Sequence, residues 1–238
     1  MGKITKFTST KDLPYTMLLY GQPGTGKTTT LGLIAQKQEK GKLLIADVDR
    51  TSRVLNKLDN TDNVLIRQID TSNTWDDWTA FMKELEEMHK NGKLKDIETI
   101  AVDNISELER GILADLGSKG KNKGVPSMSD YQYMQFKLIN SLRFMKSLGV
   151  NIVWTAWQTI EDFENIDGSK YSREYPSISR KIVDNVCGLS DIVAKIMVNK
   201  EGRRGMIMEG TPNTYAKNQV DDRKGCLAEE FIKSDKKD

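Results

Sequence analysis

The chain has 238 residues, 37% hydrophobic and 29% charged, enough to bury a core without disulfide or metal staples. Thirty-six Lys and Arg against 34 Asp and Glu leave a formal charge of +2, so no global field marks a nucleic-acid or membrane binder and any such site must be local. Cys187 and Cys226 lie far apart and outside any C-x-x-C or Cys/His cluster, which excludes a disulfide framework and a zinc finger.

In chain order, Met1–Lys6 lacks the apolar core of a signal peptide, and Lys6 stands where a myristoylation signal wants Ser or Thr. Apolar runs fall short of the ~18 residues of a membrane span, so the expectation is a soluble, cytoplasmic protein with no membrane partner. Strands are expected at Thr16–Tyr20, Lys42–Val48, Val64–Ile69, Thr99–Asp103 and Val150–Trp157, with helices between them. The clearest helix is 74–91, where Thr74-Trp75-Asp76-Asp77 reads as a capping box and Trp78, Phe81, Met82, Leu85 and Met88 recur at helical spacing. Trp75 and Trp78 read as core. His89, the single histidine, reads as solvated because it has no partner for ligation or a triad.

Gly117–Asp130 and Glu161–Ser177 are rich in Gly, Ser, Pro, Asn and charge and read as long mobile loops, 117–130 and 159–178. Beyond them, Ile192–Val198, Gly205–Glu209 and Thr214–Ala216 read as further strands, with a hairpin turn at Glu201-Gly202-Arg203. The alternation predicts an α/β fold: a mostly parallel twisted sheet with helices on both faces, in one domain over 1–238, with a core of about 14–225 and a charged tail of about 229–238.

Gly21-Gln22-Pro23-Gly24-Thr25-Gly26-Lys27-Thr28 matches G-x-x-x-x-G-K-[ST] between a strand and a helix. Glycines let backbone N–H groups turn inward around phosphates, Lys27 reaches the outer phosphates, and the Thr28 hydroxyl can ligate Mg²⁺. Thr29 follows within the same cradle. Thr99–Asp103 is an apolar strand ending in an acid, the Walker B form, which sets Asp103 beside the metal; Asp103 is also spaced to cap a helix from Asn104. Asn56-Lys57-Leu58-Asp59 mimics the guanine-reading motif but lies upstream of the Walker B strand, so it reads as helix surface. The P-loop wording resembles AAA+ ATPases, although those carry Glu directly after the Walker B Asp and here Asn104 stands there. The activating base must then come from elsewhere, and Asp49, ending Leu43–Asp49 at the carboxyl edge, is the candidate, with Asp47 on the opposite face. Gln158, ending Asn151–Gln158, is a second edge group able to sense a γ-phosphate. Arg53 is the candidate to stack on the base, whose identity the residues leave open.

Together the P-loop, Asp49, Asp103, the strand ending in Gln158 and Tyr215-Ala216-Lys217-Asn218-Gln219 resemble a minimal RecA-type core over roughly 14–225, of the kind found in phage-encoded single-strand annealing ATPases. The resemblance implies ATP with Mg²⁺, Asp49 as catalytic acid, Gln158 as nucleotide-to-DNA relay, and Lys217 as a contact to a neighbouring subunit's γ-phosphate in a ring or short filament. It also implies single-stranded DNA and a single-strand DNA-binding protein as partners, in a host cytoplasm. Gln219 stands where the family has a second lysine, and the family's N-terminal oligomerisation helix and C-terminal domain have no counterpart. The implied DNA loops carry Lys119, Lys121 and Lys123 in one, and Phe163, Lys170, Tyr171, Arg173 and Tyr175 in the other, charge and stacking faces suited to single strands. Glu161, Asp162, Glu164, Asp167 and Glu174 dilute the second loop, leaving a solvated mixed-charge loop as the alternative. A small-substrate kinase, which would need a basic lid that no segment obviously supplies and for which Arg203 and Arg204 are the available candidates, and a non-hydrolysing switch on a protein partner are the rival functions.

Overall fold

The computed structural model describes residues 13–38 and 41–232; the expectations for 1–6 and for the tail beyond 232 lie outside the described residues. In chain order the elements are β1 (Thr16–Gly21), α1 (Lys27–Lys37), β2 (Lys42–Asp47), β3 (Val64–Gln68), α2 (Thr74–Lys90), β4 (Ile97–Asp103), α3 (Ile105–Lys119) and α4 (Met128–Lys146). They continue with β5 (Asn151–Glu164), β6 (Lys170–Pro176), α5 (Val183–Leu189), β7 (Ile192–Val198), β8 (Arg204–Ile207), β9 (Lys217–Asn218) and β10 (Gly225–Leu227). The strands form a sheet in the order β10-β8-β7-β1-β5-β4-β2-β3, with β6 added to β5 and β9 to β7. From β7 to β3 every pairing is parallel, and β6, β8, β9 and β10 run antiparallel. This is the α/β class and mostly parallel sheet expected from the sequence.

The central strands are near-continuous apolar runs because both faces are covered. Leu18 and Tyr20 of β1 join Ile100, Val102 and Trp154 in a core shared with α2, α3 and α4. The alternate residues Met17 and Leu19 join Leu43, Ile45 and Val153 in a second core against Leu31 and Ile34 of α1. Trp78 is fully buried, and its indole N–H donates to the Ser141 hydroxyl at 3.2 Å, tying α2 to α4. Trp75 is half-buried, edge-on to Tyr133, and His89 is exposed.

Several local expectations are corrected. Thr74 does not cap α2: Asn73 holds the cap position, and Asp77 is drawn instead to Arg67 of β3 at 2.6 Å and to the Asp70 N–H. Asn104, not Asp103, caps α3 by accepting from the Glu107 N–H at 2.8 Å. The mobile loop expected over Gly117–Asp130 is shortened at both ends to 120–127, since α3 runs to Lys119 and Ser127 with Asp130 forms a capping box that starts α4 at Met128. The loop expected over Glu161–Ser177 is a β-hairpin, β5 continuing to Glu164 and pairing with β6. Cross-strand partners Phe163 with Tyr171, Glu161 with Arg173 and Glu164 with Lys170 match aromatic to aromatic and acid to base, the pairs that stabilise antiparallel ladders. Asp167-Gly168, with Gly168 at φ 81°, makes the turn. The strand expected at Thr214–Ala216 is displaced to β9, and Thr214 makes only isolated bridges.

Trp78→Ala should cost about 3–5 kcal/mol, the range for truncating a buried aromatic, read as a lower urea midpoint at unchanged slope. His89→Ala should stay within about 0.5 kcal/mol.

Candidate functional site

Parallel strands present their carboxyl ends along one edge, where α/β folds bind ligands. The site begins at the end of β1. Gly24 and Gly26 take left-handed conformations, φ 80° and 95°, that side-chain-bearing residues rarely adopt. Thr25 closes the turn by donating its hydroxyl to the Gln22 carbonyl at 2.8 Å. Lys27 curls back so that its ammonium donates to the Gly21 and Gln22 carbonyls at 3.0 and 3.1 Å. Burial pulls the Lys27 pKa below the ordinary lysine range, and Asp103 and Asp49 partly offset this.

Asp103, at the end of β4, is 1% exposed. Its carboxylate accepts from the Thr28 hydroxyl at 2.5 Å and from the Thr155 hydroxyl of β5. Because β5 lies between β1 and β4, Asp103 reaches the P-loop across that strand, and Thr155 is where the three elements meet. Burial raises the Asp103 pKa to about 6 despite both hydroxyl bonds, with Asp49 and Asp47 adding repulsion. A buried hydroxyl and a buried carboxylate in contact are the oxygen donors a hard divalent cation takes, so Thr28 and Asp103 fit Mg²⁺.

Asp49 follows β2 and is half-buried. It accepts from the Thr51 hydroxyl at 2.8 Å and from the Asn104 amide at 2.6 Å. Burial raises its pKa, with Asp47 adding to this and the Thr51 and Asn104 bonds opposing it. Asn104, where AAA+ proteins carry Glu, therefore orients the acid of the neighbouring strand. Asp47 is fully buried and turned into the loop after β2, where it accepts from the Thr51 and Ser52 N–H groups at 3.1 and 3.3 Å.

These groups line a polar cleft of about 350 Å³ whose walls include Pro23, Gly24, Gly26, Lys27, Thr28, Thr29, Asp49 and Asp103. Trp157, Val54, Lys57 and Arg204 complete it. Arg53 is exposed, and its neighbour Val54 in the same 3₁₀ turn faces the cleft. The period-three face of a 3₁₀ turn was the available signal for Val54 and Lys57. No local motif points to Arg204 or Trp157 as cleft residues.

The remaining candidates lie outside this cleft. Gln158 donates to Glu174 of β6 at 3.0 Å, and Glu174 also pairs with Lys195 of β7 and accepts from Thr214 at 2.9 Å. Burial alone would raise the Glu174 pKa, but these partners hold it below the ordinary glutamate range. Lys217, on β9, donates to Gln219 at 3.3 Å. Lys119 is engaged by Asn73, Asp76 and Asp115 at 2.8 to 3.1 Å, while Lys121 and Lys123 are exposed. Phe163 stacks on Tyr171 at 5.6 Å with Arg180 over its ring, and Lys170 is exposed beside them. Arg173 lies over Tyr215, and Tyr175 is buried and donates to Asp184 at 3.0 Å. Among the described residues no helix is long and apolar enough to cross a membrane.

Because folded Asp103 titrates near 6, above the ~4 of an unfolded aspartate, the folded state binds more protons between those values. Without metal or nucleotide, stability should therefore fall as pH rises from about 4 to 6 and stay at the lower level above. Asp103→Asn should raise ligand-free stability at pH 7.5 by about 1–3 kcal/mol and flatten that pH dependence in urea titrations.

The fold is shared with the assembled ATPase EscN in complex with its central stalk EscO, from the type III secretion system of enteropathogenic E. coli: 14% identity, TM-score 0.50, covering 79% of this chain and 43% of that one. A prototypical type III secretion ATPase of pathogenic bacteria matches at 15% identity and TM-score 0.49, over 79% of this chain and 53% of that one. The ATP synthase subunit NeqB from Nanoarcheaum equitans matches at 11% and 0.49, over 79% and 46%. The chain thus spans about half the length of these structures, and at such identities the likeness is one of fold. Comparison with curated protein sequences gave no match. Residues 13–220 match the family described as AAA domain, and with its complete P-loop and Walker B carboxylate the chain belongs to this family of P-loop ATPases.

Proposed function

We propose that the protein couples Mg²⁺-dependent ATP hydrolysis to the binding of single-stranded DNA and promotes annealing or recombination as a RecA-type core. The observation that carries this reading is the continuity of β5. One unbroken strand bonds Asp103 through Thr155, lines the cleft through Trp157, and then leaves the parallel sheet as the hairpin with β6. That hairpin carries the Phe163–Tyr171 stack with Lys170 and Arg180 beside it, an arrangement of π-faces and cations suited to an unpaired strand.

In this reading Thr28 and Asp103 would hold a magnesium ion, whose charge would offset that of the outer phosphates. Lys27 exchanges its carbonyl partners for phosphate oxygens. Asp49, held by Asn104 and Thr51, orients the attacking water and takes its proton. Gln158 and Glu174 join the cleft end of β5 to the hairpin and to Lys195 of β7. Lys217 acts on the nucleotide of an adjacent copy in a ring or short filament, and a single-strand DNA-binding protein delivers the strand.

The test is steady-state ATP hydrolysis with and without single-stranded DNA, with equilibrium binding followed by intrinsic tryptophan fluorescence, to which Trp157 in the cleft contributes. Lys27→Ala should lose nucleotide binding. Asp49→Ala should bind ATP and lose turnover by roughly 10²–10⁴, the range for a general base. DNA should stimulate the wild type, and neutralising about three phosphates per protomer should give a log–log salt slope near −2 on a single strand. Turnover retained in Asp49→Ala overturns the base assignment. Equal rates with and without DNA, together with a flat salt dependence, overturn the DNA reading and leave the ATPase.

A further inference from the structure

We propose that Arg204 is a phosphate-binding residue supplied in cis from β8, so that the cleft grips the polyphosphate of its nucleotide from two sides. The inference rests on the ATPase reading and adds to it a residue that no sequence motif marks. β7 runs parallel to β1, and β8 returns antiparallel, pairing Arg204 with Val198. Arg204 therefore starts β8 at the same edge of the sheet where β1 delivers the P-loop, two strands away.

From there its side chain reaches back over the phosphate loop. A Cβ built on Gly26 would stand 2.1 Å from Arg204 Nε and 2.6 Å from its Cδ. Glycine is favoured at that position by its φ of 95°, and the arginine side chain occupies the space beside it. Arg204 Nε is sealed from solvent and has no acceptor, and among the described residues no carboxylate pairs with the guanidinium. Its neighbour Arg203 differs, pairing with Glu229 at 2.7 Å on the surface.

Arg204 is half-buried, but its sealed Nε–H without an acceptor is unfavourable in the free protein, and the cleft the side chain borders holds Lys27 and Thr28. The planar guanidinium matches the spacing of phosphate oxygens. An anionic polyphosphate satisfies it, whereas the carboxylates Asp49 and Asp103 of the same cleft are already held by hydroxyl and amide donors.

Arg204→Ala and Arg204→Lys test this by equilibrium titration with ATP, ADP and inorganic tripolyphosphate, and by thermal unfolding with and without each. Arg204→Ala should weaken ATP and tripolyphosphate by a similar factor, roughly 10- to 100-fold for a charge-assisted phosphate contact, with partial recovery in Arg204→Lys. Its ligand-free melting temperature should be unchanged or higher, because an unsatisfied donor has been removed. Wild-type affinity in Arg204→Ala overturns the inference, as does weaker binding matched by a lower ligand-free melting temperature, which marks a structural role. Loss confined to ATP, with tripolyphosphate unaffected, overturns the phosphate assignment. Absence of any nucleotide binding by the wild type, equal to Lys27→Ala, overturns the ATP reading itself.

Discussion

A single buried carboxylate organises the molecule. Asp103 sits at the end of β4 with almost no solvent contact and is held by two hydroxyls, one from the first turn of α1 and one from β5. Burying an anion is unfavourable unless donors replace the lost water, so the P-loop, β4 and β5 are bound to one geometry. Burial still holds the Asp103 carboxyl above the usual aspartate range despite these two donors. The pair of Thr28 and Asp103 offers oxygen donors to a divalent ion.

The carboxyl edge therefore carries an unbalanced set of charges. Asp47, Asp49 and Asp103 crowd the ends of β2 and β4, close enough that Asp47 raises the pKa of Asp49 and both raise that of Asp103. The cations nearest them lack partners suited to full charge: Lys27 is paired only with backbone carbonyls, and Arg204 Nε has no acceptor. Asp49 and Asp103 line one cleft together with Lys27 and Arg204.

Outward from the cleft, β5 both bonds Asp103 through Thr155 and carries Phe163 into the hairpin, where its ring stacks on Tyr171. Its exit from the parallel sheet is tied down by Gln158 and Glu174, with Lys195 reaching in from β7 and the Tyr20 hydroxyl donating to the Glu174 carbonyl at 3.2 Å.

Local signals in the sequence determined the α/β class, the course of most strands, the P-loop and the Walker B strand, because apolar runs, glycine geometry and motif spacing act over a few residues. The length of β5 and the hairpin were also written locally, in Asp167-Gly168 and the paired aromatics, but charged residues on both strands masked the alternation. Tertiary structure alone decided the rest. Asn104 meets Asp49 only because β2 and β4 are neighbours, Lys119 is taken up by a helix forty-odd residues upstream, and Arg204 crosses two strands to Gly26. Pairings between distant elements depend on strand order and register, and no periodicity within one segment encodes them.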